Sequence, residues 1–170
     1  MRSTLAIDMA APAGVVFRLA RDVSRWPALL PHYVSVGITG APRPDGSVIA
    51  TMVARRPLVD LLGLGLPVTW QARVWNEPET LRLRFVHVAG ASKGMDVTWR
   101  IESTENGCRV SIEHDFRPRF PLFGALVDRW FIRPIAGRTL ATFKALAEAL
   151  AEAPPAASES ERSRPTNPST

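Results

Sequence analysis

Residues 94–116 read GMDVTWRIESTENGCRVSIEHDF and contain two alternating segments around one tight turn. Apolar side chains occupy every second position on both sides of the turn, which predicts two β-strands that each bury one face. The Asn106-Gly107 dipeptide is typical of a hairpin, because it supplies the positive backbone angles that tight turns need. We therefore predict an antiparallel pair over Met95–Ser103 and Arg109–Phe116, with His114 opposite Val97.

Outward from this hairpin, five more segments have the same alternation and are bounded by turn residues. They are Thr4–Asp8, His32–Gly40, Ser47–Arg56, Val68–Trp75 and Thr80–Val88. Consecutive strands on short turns favour an antiparallel meander, so we predict one curved sheet of seven strands. Counting across the turns places His87 opposite Met95 and Trp70 opposite Phe85.

Three segments have helical spacing. Pro12–Ala20 begins with a proline suited to a first turn, and Val15, Val16, Leu19 and Val23 form its apolar stripe. Ser24 is the predicted N-cap of a second short helix that holds Trp26, Leu29 and Leu30. The third segment, Pro121–Leu150, carries a stripe of Leu122, Leu126, Trp130, Ile135, Thr139, Phe143, Leu146 and Leu150. Pro134 removes one helical hydrogen bond, so we expect a kink near Trp130.

Composition limits the class of protein. The chain has 170 residues, 46% hydrophobic and 22% charged, which indicates one globular domain. We place that domain at 1–150 and expect a disordered tail at 151–170, because the tail is rich in Pro, Ser and charge. The chain has no apolar run of bilayer length and no secretory pattern at its start, so we expect a cytoplasmic protein. Its net charge of +5 comes with scattered arginines rather than a basic block, so we expect no nucleic-acid partner.

One helix cannot fill the concave side of seven strands, so the pattern predicts an α+β fold with a cavity between sheet and helix. His87 and His114 fall on the apolar face of the sheet and flank the same central strand. Such histidines are either hydrogen-bonded core residues or ligand contacts, and both interpretations stay open. No third imidazole or carboxylate has a metal-binding spacing, so we expect no metal.

Residues 57–67, PLVDLLGLGLP, are unusually apolar for a connection between strands. Two interpretations stay open: the segment caps the core, or it forms a rim over the cavity mouth that contacts a membrane or a carrier protein. The start of the last helix, around Arg117–Phe123, is the predicted opposite rim.

Four stretches resemble the START-related helix-grip (SRPBCC) superfamily. They are IDMAAPAGVVFRLARDVSRWPALLPHYVSV at 7–36, GMDVTWRI at 94–101, VSIEHDF at 110–116 and IAGRTLATFKALAE at 135–148. Within the superfamily they are most similar to the polyketide cyclase/dehydrase and coenzyme Q-binding branch. The resemblance covers residues 3–150 and implies a curved sheet that grips a long C-terminal helix around a cavity for an apolar small molecule.

The resemblance also implies chemistry. Aromatase/cyclases of this kind fold a poly-β-keto chain and promote aldol closure and dehydration without a cofactor. By motif and strand position, the resemblance implies that the family's cavity residues correspond to Trp26, Tyr33, Trp70, Trp99 and His114. Our own strand register adds His87. We therefore predict His114 and His87 as catalytic residues. The predicted ligand-binding residues are Trp26, Tyr33, Arg56, Trp70, Phe85, Val97, Trp99 and Trp130.

The principal alternative is a non-catalytic carrier of a lipid or an isoprenoid quinone, which the same apolar cavity would suit. A weaker third hypothesis is a ribosome-associated role. The sequence leaves the identity of the ligand and the oligomeric state open.

Overall fold

The computed structural model describes residues 1–59, 64–117 and 121–153, with the side chains of 56–59, 64 and 121–123 outside that description. The predicted tail falls almost entirely beyond these residues. The strands are β1 (Arg2–Met9), β2 (Tyr33–Thr39), β3 (Val48–Val59), β4 (Leu64–Glu77), β5 (Arg82–Ala89), β6 (Asp96–Thr104) and β7 (Gly107–Asp115). The helices are α1 (Ala13–Ala20), α2 (Trp26–Leu29), α3 (Pro121–Val127) and α4 (Arg133–Glu152).

The seven strands form one antiparallel sheet in the order β1-β7-β6-β5-β4-β3-β2. The predicted meander and the α+β class are therefore confirmed. The first strand pairs with the last: β1 lies antiparallel to β7 over its whole length. The sheet wraps its apolar face around α4, which is the helix-grip arrangement.

Two of the three predicted registers are correct. His114 lies opposite Val97, and the His87 backbone N–H donates to the Met95 carbonyl at 2.9 Å. The third register is wrong, because Phe85 lies opposite Val74 and not Trp70. The turn between β4 and β5 is a 3₁₀ turn at Pro78–Thr80 followed by Leu81 at φ 48°. It lies two residues later than predicted, and no glycine marks its left-handed position.

Residues 57–59 and 64–67 of the apolar segment belong to strands β3 and β4, whereas 60–63 lie outside the described residues. Strand β3 continues to Val59 and β4 starts at Leu64, with Arg56 paired with Leu66 in the backbone ladder. The register shifts between Pro57 and Val59, as expected for a proline that lacks a backbone donor. The two described ends of the segment therefore lengthen β3 and β4.

The helices after β1 differ in detail from the expectation. The buried residues of α1 are Ala13, Val16, Phe17 and Ala20 rather than Val15 and Leu19. The helix is enclosed by α4 and the sheet, so two alanines permit close approach. A 3₁₀ turn over Val23–Arg25 precedes α2, and Asp22 caps it, because its Oδ1 accepts the Ser24 backbone N–H at 3.1 Å. Ser24 lies inside this turn and is therefore not the N-cap of α2, a position that Arg25 occupies.

The C-terminal helix is interrupted where Pro134 predicts, and the interruption is a π-helical turn over Asp128–Ile132. Because of the turn, two successive buried residues, Val127 and Ile132, are five positions apart. The predicted stripe had this five-residue spacing between Trp130 and Ile135. The predicted stripe is therefore wrong in its first half: Leu126 is 52% exposed and Trp130 46% exposed. From Ile135 to Phe143 the buried face follows the prediction.

Polar contacts fasten the end of α4 to the connection after β1. Glu148 Oε1 accepts the Ala10 backbone N–H at 2.7 Å, and Lys144 Nζ donates to the Asp8 carbonyl at 2.7 Å. Lys144 also pairs with Glu148. The C-terminal half of α4 is thereby anchored, while its N-terminal half borders the interior described below.

Candidate functional site

A cavity lies between the concave face of the sheet and the helices α2 and α4. Its volume is about 130 Å³. Thr69 and Ala91 line the cavity and are exposed, so the mouth lies at the start of β4 and the β5–β6 turn. The predicted cavity is therefore present.

Eight of the ten predicted site residues line this cavity. They are Trp26, Tyr33, Trp70, Phe85, His87, Val97, Trp99 and His114. Seven of them come together because each lies on the inward face of its strand. The eighth, Trp26, comes from α2. Their contact with a ligand stays a prediction.

Of the other two predicted residues, Trp130 lies outside the described lining and Arg56 remains untested. Trp130 is not among the lining residues, because the π turn rotates it to the exposed side. Arg56 lies in β3, but its side chain falls outside the described residues, and so do the side chains of Leu122 and Phe123 in the predicted opposite rim.

Trp26 is the centre of the aromatic end of the cavity. Its ring centroid lies 5.1 Å from that of Tyr33, 5.8 Å from that of Phe85 and 5.5 Å from that of Trp99. Its Nε1 donates to the Ala20 carbonyl at 3.0 Å. Edge-on and tilted contacts of this kind add to the energy of burial. The rings therefore form a fixed wall against which a planar ligand could stack.

A polar network that the sequence analysis did not detect lies behind this wall. Thr139 Oγ1 donates to the Ile135 carbonyl at 2.9 Å and accepts a hydrogen bond from His32 Nε2 at 2.8 Å. Burial raises the pKa of Tyr33, and a hydrogen bond with Thr139 partly opposes that rise. Alternation would place His32 on the outer face, opposite to Tyr33. It lies inside because β2 starts only at Tyr33, and no sequence signal marks that start.

His87 is held by two contacts near the mouth. Its Nδ1 lies 2.6 Å from Ser92 Oγ, and its ring lies parallel to that of Trp70. Burial, and then the charge of His114, lower the pKa of His87 to about 3. The imidazole is therefore neutral at pH 7, and its Nε2 remains for a ligand.

His114 lies on β7, which is separated by β6 from the strand that carries His87. Burial lowers the pKa of His114 to about 4, although the Asp128 carboxylate and the backbone of Ser3 act in the opposite direction. His32 has a similarly low pKa, about 4, caused first by burial and then by the charge of Arg138. All three imidazoles are thus neutral in the folded protein.

The lining contains no charged side chain among the described residues. Nor do three or more His, Cys, Asp or Glu side chains come together as a metal site in the described ranges. The walls are therefore suited to an uncharged ligand, with two imidazoles, a phenol and a few hydroxyls for hydrogen bonds. Within the same ranges no helix has the length and hydropathy needed to cross a bilayer.

Several solved structures are similar to this chain. The aromatase/cyclase Zhui from Streptomyces sp. R1128 is 16% identical with a TM-score of 0.71, over 87% of this chain and 93% of that one. A START superfamily protein from Mycobacterium smegmatis is 17% identical with a TM-score of 0.61, over 89% and 97%. The di-domain ARO/CYC protein BexL, from the BE-7585A biosynthetic pathway, is 22% identical with a TM-score of 0.65, and this chain spans 51% of it. At these identities the likeness establishes the fold.

The family is established by a separate comparison. A family model described as polyketide cyclase/dehydrase and lipid transport matches residues 1–151, which is the whole chain except the tail. The match includes every strand and helix that forms the cavity. The protein therefore belongs to the polyketide cyclase/dehydrase and lipid transport family, within the START-related helix-grip superfamily that its sequence resembles.

Proposed function

We propose that the protein binds an uncharged, planar molecule of the polyketide type in its cavity and promotes ring closure or dehydration there without a cofactor. The observation that carries this proposal is the pair of neutral imidazoles, His87 and His114, on the walls of an otherwise apolar cavity. Family membership supports the same reading. The tryptophans would hold the substrate flat, and the imidazoles would move its protons.

Aldol closure of a poly-β-keto chain requires two events. A proton leaves a methylene between two carbonyls, and a distant carbonyl becomes electrophilic enough to accept the resulting carbon nucleophile. A neutral imidazole can take the proton through its free nitrogen or donate its N–H to the carbonyl oxygen. The low pKa values mean that an imidazolium is costly in isolation, so it would form only beside the developing enolate charge.

The size of the cavity sets how the substrate enters. A cavity of about 150 Å³ accommodates benzene, so the volume of about 130 Å³ suits roughly one ring. A longer chain would therefore extend from the cavity toward its open mouth.

The test compares products formed from a synthetic poly-β-keto thioester by the wild type and by His114→Gln and His87→Gln. We expect each variant to lose the enzyme-directed product at least tenfold, since general acid–base groups contribute about 10²–10⁴-fold. The matched control is His32→Gln, because His32 is buried with a low pKa but does not line the cavity. An unchanged product spectrum in both cavity variants would remove the histidines from catalysis.

A second function, carriage of a lipid or isoprenoid quinone without chemistry, is favoured by the uncharged lining of the described cavity. Delivery of such a ligand would involve contact with a membrane or a carrier protein. Native mass spectrometry of the protein purified from its own host distinguishes the two. An intact lipid or quinone bound to the protein, together with no effect on poly-β-keto cyclisation, would favour the carrier.

A further inference from the structure

The turn between β5 and β6, residues 90–94, is fastened to the backbone of His87. The Gly94 backbone N–H donates to the His87 carbonyl at 2.8 Å, and the Lys93 backbone N–H donates to the Gly90 carbonyl at 3.1 Å. Gly90 and Gly94 have φ of 94° and 86°, a region that side chains other than glycine rarely adopt. The turn therefore has a defined shape, and it holds Ser92 close to the histidine.

A bulge in β5 sets the direction of this turn. The β4–β5 register shifts by one residue at Val88, directly after His87. A bulge bends the strand that carries it and changes where its side chains point. A Cβ at Gly90 would lie 2.9 Å from the Thr69 carbonyl oxygen, so the backbone of the turn lies directly against β4. Ser92 is thereby placed at the mouth of the cavity.

The two ring nitrogens of His87 have different surroundings. Nδ1 lies 2.6 Å from Ser92 Oγ, whereas Nε2 has no hydrogen-bond partner among the described residues. Both residues line the cavity, and Ser92 is partly exposed. The serine hydroxyl can therefore reach water at the mouth, while Nε2 is the nitrogen that is left for a ligand.

This hydrogen bond selects the tautomer of His87, because a neutral imidazole carries a proton on only one nitrogen. If Ser92 donated to Nδ1, the ring proton would be on Nε2, where no acceptor is present in the described part of the chain. In proteins, a buried N–H without an acceptor is rarer than a buried acceptor without a donor. The tautomer with the proton on Nδ1 avoids this cost, since Ser92 Oγ accepts that proton and its own hydroxyl can donate to water.

We propose that Ser92 is a positioning residue, which accepts the Nδ1–H of His87 and so makes Nε2 of His87 the base for ring closure. This inference rests on the proposed function and adds which nitrogen takes the proton. The C–H bond of a ligand methylene breaks, its proton goes to Nε2, and its electron pair stays on the carbon as the enolate. The proton then returns to the alkoxide oxygen that ring closure forms.

Ser92 acts on the charged state of the ring. Once Nε2 has taken the proton, the ring is an imidazolium, and its Nδ1–H bond to Ser92 Oγ becomes charge-assisted and stronger. Burial disfavours that charge, so the stronger bond offsets part of the cost at the moment of proton transfer. His114 has no such support, because its Nδ1 is buried without a hydrogen-bond partner among the described residues.

NMR of the full chain without ligand tests the tautomer. Long-range proton–nitrogen correlation spectra distinguish a protonated ring nitrogen from a bare one, and His87→Gln assigns the signals. We expect the proton on Nδ1 of His87 in the wild type and in Ser92→Thr, which keeps the hydroxyl, but a mixture of tautomers in Ser92→Ala. Lys93→Ala is the matched control, because Lys93 is in the same turn but does not line the cavity, and it should keep the wild-type tautomer.

Kinetics with the synthetic poly-β-keto thioester test the positioning role. Ser92→Ala should lower kcat about tenfold or more, since a hydrogen bond to a charged group is worth about that factor. KM should stay unchanged, because the bond gains its strength only after proton transfer. Ser92→Thr should restore most of kcat, and Lys93→Ala should equal the wild type.

The outcomes separate this inference from the proposed function. A proton on Nε2 of His87 in the wild type overturns the inference, while the proposed function stands if His87→Gln still loses the product. An unchanged kcat in Ser92→Ala, together with a loss in His87→Gln, overturns the positioning role alone. If neither His87→Gln nor His114→Gln changes the products, the proposed function fails, and the role of Ser92 with it.

Discussion

The imidazole of His87 lies parallel to the indole of Trp70, with ring centroids 5.9 Å apart and an angle of 12° between the planes. The contact shields one face of the imidazole from the mouth of the cavity. It therefore helps to maintain the burial that lowers the pKa of His87 to about 3.

Trp70→Ala should raise the pKa of His87 from about 3 toward its ordinary value of 6.5, because water then reaches the imidazole and stabilises its charged form. Titration of the histidine ring signals by NMR measures the shift, with His87→Gln used to assign them. The control is Trp75→Ala, since Trp75 lies against Arg73 and Arg84 and away from the cavity. A pKa of His87 that stays near 3 in Trp70→Ala would show that the indole does not shield it.

The free energy of unfolding should fall as pH drops below about 6.5. His32, His87 and His114 have folded-state pKa values of about 4, 3 and 4, all below the unfolded value. The unfolded chain therefore binds more protons between pH 6.5 and 4, so stability is fully present above this window and lost within it. Each histidine contributes a slope of up to about 1.4 kcal/mol per pH unit.

Urea denaturation at several pH values between 7 and 4.5 measures this slope. Replacing any one of the three histidines by glutamine should reduce the slope by the share of one proton, whatever the variant does to stability at pH 7. The prediction is wrong if the wild type and all three variants have the same slope.

Thr139→Val should destabilise the protein by about 1–3 kcal/mol, because it leaves the His32 and Tyr33 groups buried without their partner. Thr142→Val is a matched control, since Thr142 Oγ1 makes the same bond to the carbonyl four residues earlier, at 2.9 Å, but on the exposed side of α4. The control should change the free energy of unfolding by less than about 0.5 kcal/mol. Equal effects in chemical denaturation would contradict a role for the His32 network.

Gly107→Ala should be the most damaging glycine substitution in the sheet. Gly107 has φ 141°, and a Cβ there would clash with the Met9 carbonyl oxygen, so both backbone strain and a steric clash follow. We expect a loss of about 3 kcal/mol or more, against less than about 1 kcal/mol for Gly37→Ala, which meets no atom within 4 Å. Thermal unfolding of both variants gives the comparison.

The parts of the fold that the sequence predicts correctly are those set by the regular alternation of apolar and polar residues along each strand. The Asn106-Gly107 turn and strict alternation around it place His114 opposite Val97, and the same counting brings His87 to the cavity. Prediction failed where the backbone leaves its regular period without a marking residue. Leu81 adopts φ 48° in place of a glycine, which moved the β4–β5 register.

The π turn is a second source of error, because Pro134 marks an interruption of the helix but not the extra residue within the turn. It displaced the buried stripe and so put Trp130 outside. The pairing of Ser3 with His114 likewise could not be predicted, because it depends on how β1 closes the sheet. Tertiary closure of this kind has no local signature in the chain.

The wide turn at Asp128–Ile132 amounts to a one-residue insertion that the protein has absorbed. Because the five-residue step keeps Val127 and Ile132 on the same side, the loss of one residue here would leave a four-residue step between two buried positions. The sheet and the hydrogen bond from Ala10 to Glu148 lie away from this turn and would be unaffected. The turn is therefore a point at which the chain can change its length by one residue and keep the same buried helix face.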